Sequence, residues 1–172
     1  KFNINNVMIV GGSRVGKLTA KRLEDDLNIK IFEMDKERCF ELTNILSNTL
    51  VINADARDVD LLEDEGIKDM DAFIAVTDNT ETNILTCLQA KNFGVKRTIA
   101  MVENIDYIDI SQNIGIDTII NKKLIAASYM VRYTLGGNVS SLKCLSGIDA
   151  DIVEFAVREG GAVTNRPINK LD

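Results

Sequence analysis

Along the chain, short runs of apolar and β-branched residues alternate with segments whose apolar positions recur every three or four residues. Six runs are nearly continuous in apolar character: residues 6–10 (NVMIV), 29–33 (IKIFE), 49–53 (TLVIN), 72–76 (AFIAV), 97–102 (RTIAMV) and 117–120 (DTII). A strand without polar alternation is one covered on both faces, as in a parallel sheet between helix layers. The intervening segments carry helical stripes, with Cys39, Leu42, Ile45 and Leu46 in one and Ile84, Cys87 and Leu88 in another. Asp78 with Glu81 reads as a capping box that opens the fourth helix, and Gly66, Gly94 and Gly115 stand where helices end. Strands joined by helical crossovers predict an α/β fold, a Rossmann-like doubly wound parallel sheet.

The pattern changes toward the C-terminal end. Residues 121–137 (NKKLIAASYMVRYTLGG) predict a helix whose apolar residues Leu124, Ile125, Ala127, Met130, Val131 and Leu135 cannot all face one sheet. Such a helix is either deeply buried or packed against another subunit, which makes the chain an expected homo-oligomer. Beyond Gly136 and Gly137, residues 150–157 (ADIVEFAV) alternate as a half-exposed strand with Val153, Phe155 and Val157 on one face. The expected division is a nucleotide-binding domain over residues 1–137. A linker and the truncated start of a small α+β module follow over residues 138–172. The chain opens on Lys1 and stops within NRPINKLD, which reads as a segment of something longer.

Composition narrows the function. The 172 residues, 45% hydrophobic and 27% charged, suit one compact domain with part of a second. A net charge of −6, with no basic cluster beyond a Lys-Lys or Lys-Arg pair, argues against nucleic-acid binding. No apolar run reaches the ~18 residues of a membrane span and no signal peptide opens the chain, so a cytoplasmic protein without membrane insertion is expected. Three cysteines without a CxxC pair, and no histidine, leave neither a disulfide framework nor a Cys/His zinc site. Cys39 and Cys87, on helical stripes, are expected in the core.

Candidate chemistry begins at VMIVGGSRVGKLTA, residues 7–20. From Gly11 this is a P-loop spacing, Gly11-x-x-x-x-Gly16-Lys17, but Leu18 stands where a P-loop needs a hydroxyl for Mg²⁺. It is also a dinucleotide turn, Gly11-Gly12-Ser13-Arg14-Val15-Gly16, with serine in place of the middle glycine. The second reading requires an acid at the end of the second strand, and Glu33 stands there, seventeen residues after Gly16. Its carboxylate suits ribose hydroxyls, and its charge opposes a 2′-phosphate, favouring NAD over NADP. Ser13 crowds the approach of pyrophosphate to the backbone, while its hydroxyl offers a donor. A Rossmann-like scaffold that binds no nucleotide is the alternative.

More polar groups follow the strands at the rim where open α/β sheets bind ligands: Asp55 and Ala56 after the third, Thr77, Asp78 and Asn79 after the fourth, Glu103 and Asn104 after the fifth. Any one of these is ordinary helix-cap chemistry, but together beside a glycine turn they predict a site. An NAD-dependent oxidoreductase would also need an acid/base group. Histidine is absent, Tyr129 has Tyr133 rather than lysine four places on, and Tyr107 has Ser111. A non-enzymatic role is therefore expected.

These residues resemble the RCK or KTN nucleotide-binding domain of TrkA-type potassium-uptake proteins. The similarity is carried by residues 6–136, above all by the glycine turn and by AVTDNTETNI, residues 75–84. The tail from residue 150 resembles the opening of that family's C-terminal ligand-binding module. The resemblance implies binding of NAD(H) or of ATP/ADP, with phosphate at Gly11–Gly16, ribose at Glu33, adenine by Asp55 and Ala56, and Thr77 and Asp78 beside the nucleotide. Arg14 matches the arginine common in the turn; Ser13 departs from the usual glycine. It further implies a dimer or larger ring at the inner face of the cell membrane, regulating a potassium-transporter subunit through ligand-dependent conformational change.

Overall fold

A computed structural model describes residues 3–134, 139–144, 151–157, 160, 164 and 167. Six strands form one sheet: β1 (Asn6–Val10), β2 (Asn28–Glu33), β3 (Thr49–Asn53), β4 (Ala72–Ala75), β5 (Arg97–Met101) and β6 (Thr118–Ile120). All pair in parallel in the order β3-β2-β1-β4-β5-β6. The crossovers carry helices α1 (Arg14–Leu23), α2 (Lys36–Ile45), α3 (Val59–Asp64), α4 (Thr80–Asn92) and α5 (Asp106–Asn113). Because the chain winds outward from β1 in one direction and from β4 in the other, the carboxyl ends of these two strands flank a crevice.

Both faces of the central strands β1, β2 and β4 are covered, which is why these strands lack alternation. Ile9, Ile31 and Ile74 stand in register on one face and pack with Ala20 of α1, Leu42 of α2 and Leu46 just past its end. Met8 and Phe73, in register on the other face, are equally buried. Burying a side chain of this size contributes about 1.5–3 kcal/mol. Cys39 and Cys87 are buried free thiols, as expected, and burial pushes Cys87 up to about 12.

One charged group is also built into the interior. Glu24, 3% exposed, ends α1 and accepts hydrogen bonds from Lys21 Nζ (2.7 Å), Asn48 N (3.0 Å) and Thr49 Oγ1 (3.0 Å). Burial opposes its ionisation, but these donors outweigh burial and hold its pKa at about 2. The carboxylate thereby ties the end of α1 to the turn before β3.

Local signals are displaced by small amounts. Asn79, not Asp78, caps α4, its side chain accepting the Thr82 N–H at 2.6 Å. The buried face of α4 is Asn83, Thr86, Cys87 and Ala90, so Ile84 and Leu88 are only half-buried. Ile45 is 43% exposed at the end of α2. Gly66, Gly94 and Gly115 do take left-handed backbone, at φ 78°, 94° and 105°.

The chain divides into two compact units, residues 1–121 and 122–172. The second begins with α6 (Lys122–Thr134) and includes β7 (Val139–Cys144) and β8 (Asp151–Phe155), paired antiparallel. No residue of α6 is buried, and Met130 and Tyr133 are 69% and 77% exposed. Leu135, Gly136 and Gly137 lie outside the described residues.

Candidate functional site

The glycine turn links β1 to α1, and each of its three glycines is required by the protein's own packing. Gly11 has φ +102°, and a Cβ there would lie 2.9 Å from the Thr77 backbone nitrogen. At Gly12 a Cβ would meet Leu42 Cδ1 at 2.5 Å and Glu33 Oε2 at 2.9 Å. At Gly16 it would collide with the Gly11 carbonyl oxygen. Ser13 keeps an unstrained φ of −62° and is the N-cap of α1, yet its side chain makes no cap bond. Its hydroxyl donates instead toward the Val76 carbonyl at 3.4 Å. Helices α2, α3 and α4 are all capped by side chains, those of Asp35, Asp58 and Asn79. The N–H groups opening α1 therefore lack that capping partner, and such groups suit phosphate oxygens.

Glu33, 7% exposed at the end of β2, turns into this structure. Its Oε2 accepts the Gly12 N–H at 2.7 Å and lies 3.4 Å from Arg38 Nη1, while Oε1 accepts the Asp35 N–H at 2.9 Å. Asp35 in turn caps α2, where the Arg38 and Glu37 N–H groups hold its carboxyl below the usual range. Asp55 is gripped by the Arg57 guanidinium through contacts of 2.6 and 3.0 Å, which also lowers its pKa. Opposite, Asn83 holds Thr77, its Oδ1 accepting from the Thr77 N–H at 2.9 Å and hydroxyl at 2.7 Å.

A cleft of about 110 Å³ opens at the crevice between β1 and β4. It gathers Gly11, Ser13, Glu33, Asp55, Ala56, Thr77 and Asp78, all expected from the sequence. Phe32, Met34, Arg38, Ala54 and Thr82 also line it and were not anticipated. Gly12 and Arg14 line a flanking cavity instead. Val15 packs against the core, and Gly16 is buried beneath the turn. Asn79 serves as a helix cap. Glu103 and Asn104 line neither cavity: the Glu103 N–H bonds Thr80 Oγ1 at 3.2 Å, and Asn104 Oδ1 accepts the Asp106 N–H at 3.1 Å. Among the described residues no cluster of His, Cys, Asp or Glu is arranged to hold a metal.

An acid-closed glycine turn at the crossover of a doubly wound sheet describes many nucleotide folds, and comparison with known proteins narrows the choice. The TrkA-N domain family model matches residues 7–122. The chain belongs to the TrkA-N domain family. It is 35% identical over 167 residues to Trk system potassium uptake protein trkA homolog 1 of Methanosarcina mazei, covering 96% of this chain and 41% of that relative. The chain thus spans less than half the length of that curated relative. Solved structures agree in fold. The TrkA-N domain of inner membrane protein ybaL from Escherichia coli superposes with a TM-score of 0.68 at 17% identity, covering 77% of this chain and 98% of that one. The GsuK channel bound to NAD superposes with a TM-score of 0.66 at 15% identity, covering 81% of this chain and 25% of that one. No helix among the described residues of this TrkA-N chain is long and apolar enough to cross a membrane.

Proposed function

We propose that this chain is a nucleotide-binding regulatory part of a potassium-uptake system. It binds NAD(H) or ATP/ADP at the carboxyl rim and controls a membrane potassium-transporter subunit through ligand-dependent conformational change. The observation that carries this reading is the cleft at the β1–β4 crossover, where Gly11, Glu33, Asp55, Ala56, Thr77 and Asp78 converge beside the N-terminus of α1. Relatives named as potassium uptake proteins, and a NAD-bound channel of the same fold, support it.

In this reading the N–H groups opening α1 hold phosphate, with Arg14 as a forked donor. The free lone pair of Glu33 takes a ribose hydroxyl; its other acceptor positions are engaged, so it does not clasp both. Asp55 and Ala56 edge the adenine, and Thr77 and Asp78 close the far wall. The nucleotide-binding domain takes residues 1–137, with residues 138–172 the start of a C-terminal module. The apolar, unburied α6 seats a second copy of the chain in a dimer or larger ring at the cytoplasmic face of the membrane.

Regulation follows from differential affinity. A ligand moves a two-state assembly only by the difference in its binding free energy to the two arrangements. No catalytic step is needed, and no histidine, tyrosine or lysine lines the cleft. The reading is tested by denaturing the purified chain and examining the released material for nucleotide, then titrating the emptied chain with NADH, ATP and ADP. Binding of at least one at submillimolar concentration is expected; no binding of any would overturn it.

A further inference from the structure

On the α1–α2 side of the glycine turn lies a second, larger cavity of about 490 Å³. Its polar side chains are Ser13, Arg14, Lys17, Arg38 and Glu41. Among the described residues neither Arg14 nor Lys17 forms a side-chain ion pair. Ser13 and Arg38 line this cavity and the cleft alike, so the two spaces meet beside Glu33.

That junction bears on ligand specificity. An acid at the end of β2 normally turns away a 2′-phosphate by charge. Here the carboxylate of Glu33 points into the fold and is compensated in place by the Gly12 and Asp35 N–H groups and by the Arg38 guanidinium. A carboxylate offers about four acceptor positions, and these donors take three. Beyond it stand Arg14 and Lys17, with Arg38 shared between the two spaces, against the one further carboxylate of Glu41.

The direction of approach also matters. No residue of β4 or of the loop after it lines the flanking cavity. A phosphate chain running from the turn toward Thr77 and Asp78 leads away from it. Arg38, beside Glu33 and lining both spaces, marks where a substituent on a ribose at Glu33 would enter the flanking cavity.

We propose that the flanking cavity is a subsite for the 2′-phosphate of an adenine nucleotide, with Lys17 and Arg38 as its cations, so that the site takes NADP(H)-type ligands as well as NAD(H). This rests on the nucleotide reading above and adds to it. A phosphomonoester dianion presents three oxygens to these side chains, and charge-assisted hydrogen bonds of this kind are the strong ones.

Calorimetry on this chain with AMP, ADP and adenosine 2′,5′-bisphosphate separates the possibilities, because the ligands differ by one phosphate in known places. The 2′,5′-bisphosphate is expected to bind about threefold or more tighter than AMP. Lys17→Gln should abolish that gain while AMP affinity stays within about twofold, and Arg38→Gln should abolish it as well. Added salt should shrink the gain, since exposed charges are screened. A 2′,5′-bisphosphate about threefold or more weaker than AMP would overturn the proposal, showing that Glu33 and Glu41 still repel it. A gain confined to ADP and removed by Lys17→Gln would also overturn it, assigning the cavity to the phosphate chain. Binding of AMP or NADH without any 2′-phosphate gain overturns this inference alone; failure of every nucleotide to bind overturns the nucleotide reading as well.

Discussion

Asn83 holds Thr77 by three hydrogen bonds, accepting from its N–H and hydroxyl through Oδ1 and donating from Nδ2 to its carbonyl at 2.9 Å. The same Nδ2 donates to the Met101 carbonyl at 2.9 Å, so one buried amide on α4 fixes the ends of β4 and β5. Asn83→Ala would leave buried backbone groups unsatisfied, at a cost of about 1–3 kcal/mol. Urea denaturation should show that loss. Nucleotide affinity should fall with it, because Thr77 is a wall of the cleft.

Glu33 and Gly12 fix each other by contact and by hydrogen bond. Gly12→Ala places a methyl against Leu42 and the Glu33 carboxylate, an overpacking worth about 1–3 kcal/mol. Glu33→Gln replaces an acceptor oxygen with an NH₂ group facing an N–H donor. Both variants should melt at lower temperature by calorimetric scanning and bind NADH more weakly. An unchanged melting temperature in both would dissolve the structural role given to this pair.

Glu24 gives the fold an acid sensitivity with a defined window. Its folded pKa of about 2 lies below its ordinary value of 4.5. Its contribution is therefore fully present above the unfolded value and is lost as pH falls from 4.5 toward 2. Glu24→Gln should cost about 1–3 kcal/mol at neutral pH and flatten the acid side of the stability curve. Denaturant titrations repeated from neutral pH to the acid limit would show parallel curves if the group played no part.

The exposed apolar residues of α6 predict self-association. Met130→Glu with Tyr133→Glu should convert an oligomer to monomer in sedimentation equilibrium without changing the melting of the sheet unit. A wild-type chain that sediments as monomer at micromolar concentration would contradict the role given to α6.

The central strands were legible because burial on both faces leaves an apolar run with sharp ends, and the edge strand β3 because its run is apolar and β-branched although no residue in it is buried. The bounds of β1 and β3 match the runs, and β2 starts one residue earlier, at Asn28. Glu33, Asp55, Ala56, Thr77 and Asp78 were legible because Glu33 closes a strand and the others follow one, which brings them to the rim. Arg38 and Thr82 were not, because helix register and side-chain length bring them to the cleft from α2 and α4. Glu103 and Asn104 follow β5, which lies one strand beyond β4 from the crossover, and they miss the cleft. β7 was missed because the adjacent Ser140 and Ser141 break any alternation, and Val139 and Ser141 flank an irregularity in its pairing.

The most direct test of the proposed nucleotide site is residue-by-residue mapping of amide shifts in an isotope-labelled sample of this chain as NADH is added. Saturable shifts are expected at Gly11, Gly12 and Ser13, at Glu33 and Met34, at Asp55 and Ala56, and at Thr77 and Asp78. Lys91, Thr98 and Asp117, which cluster at the opposite end of β5 and β6, should stay still. Shifts centred on that far cluster, or none at any rim residue at millimolar NADH, ATP and ADP, would contradict the proposed site.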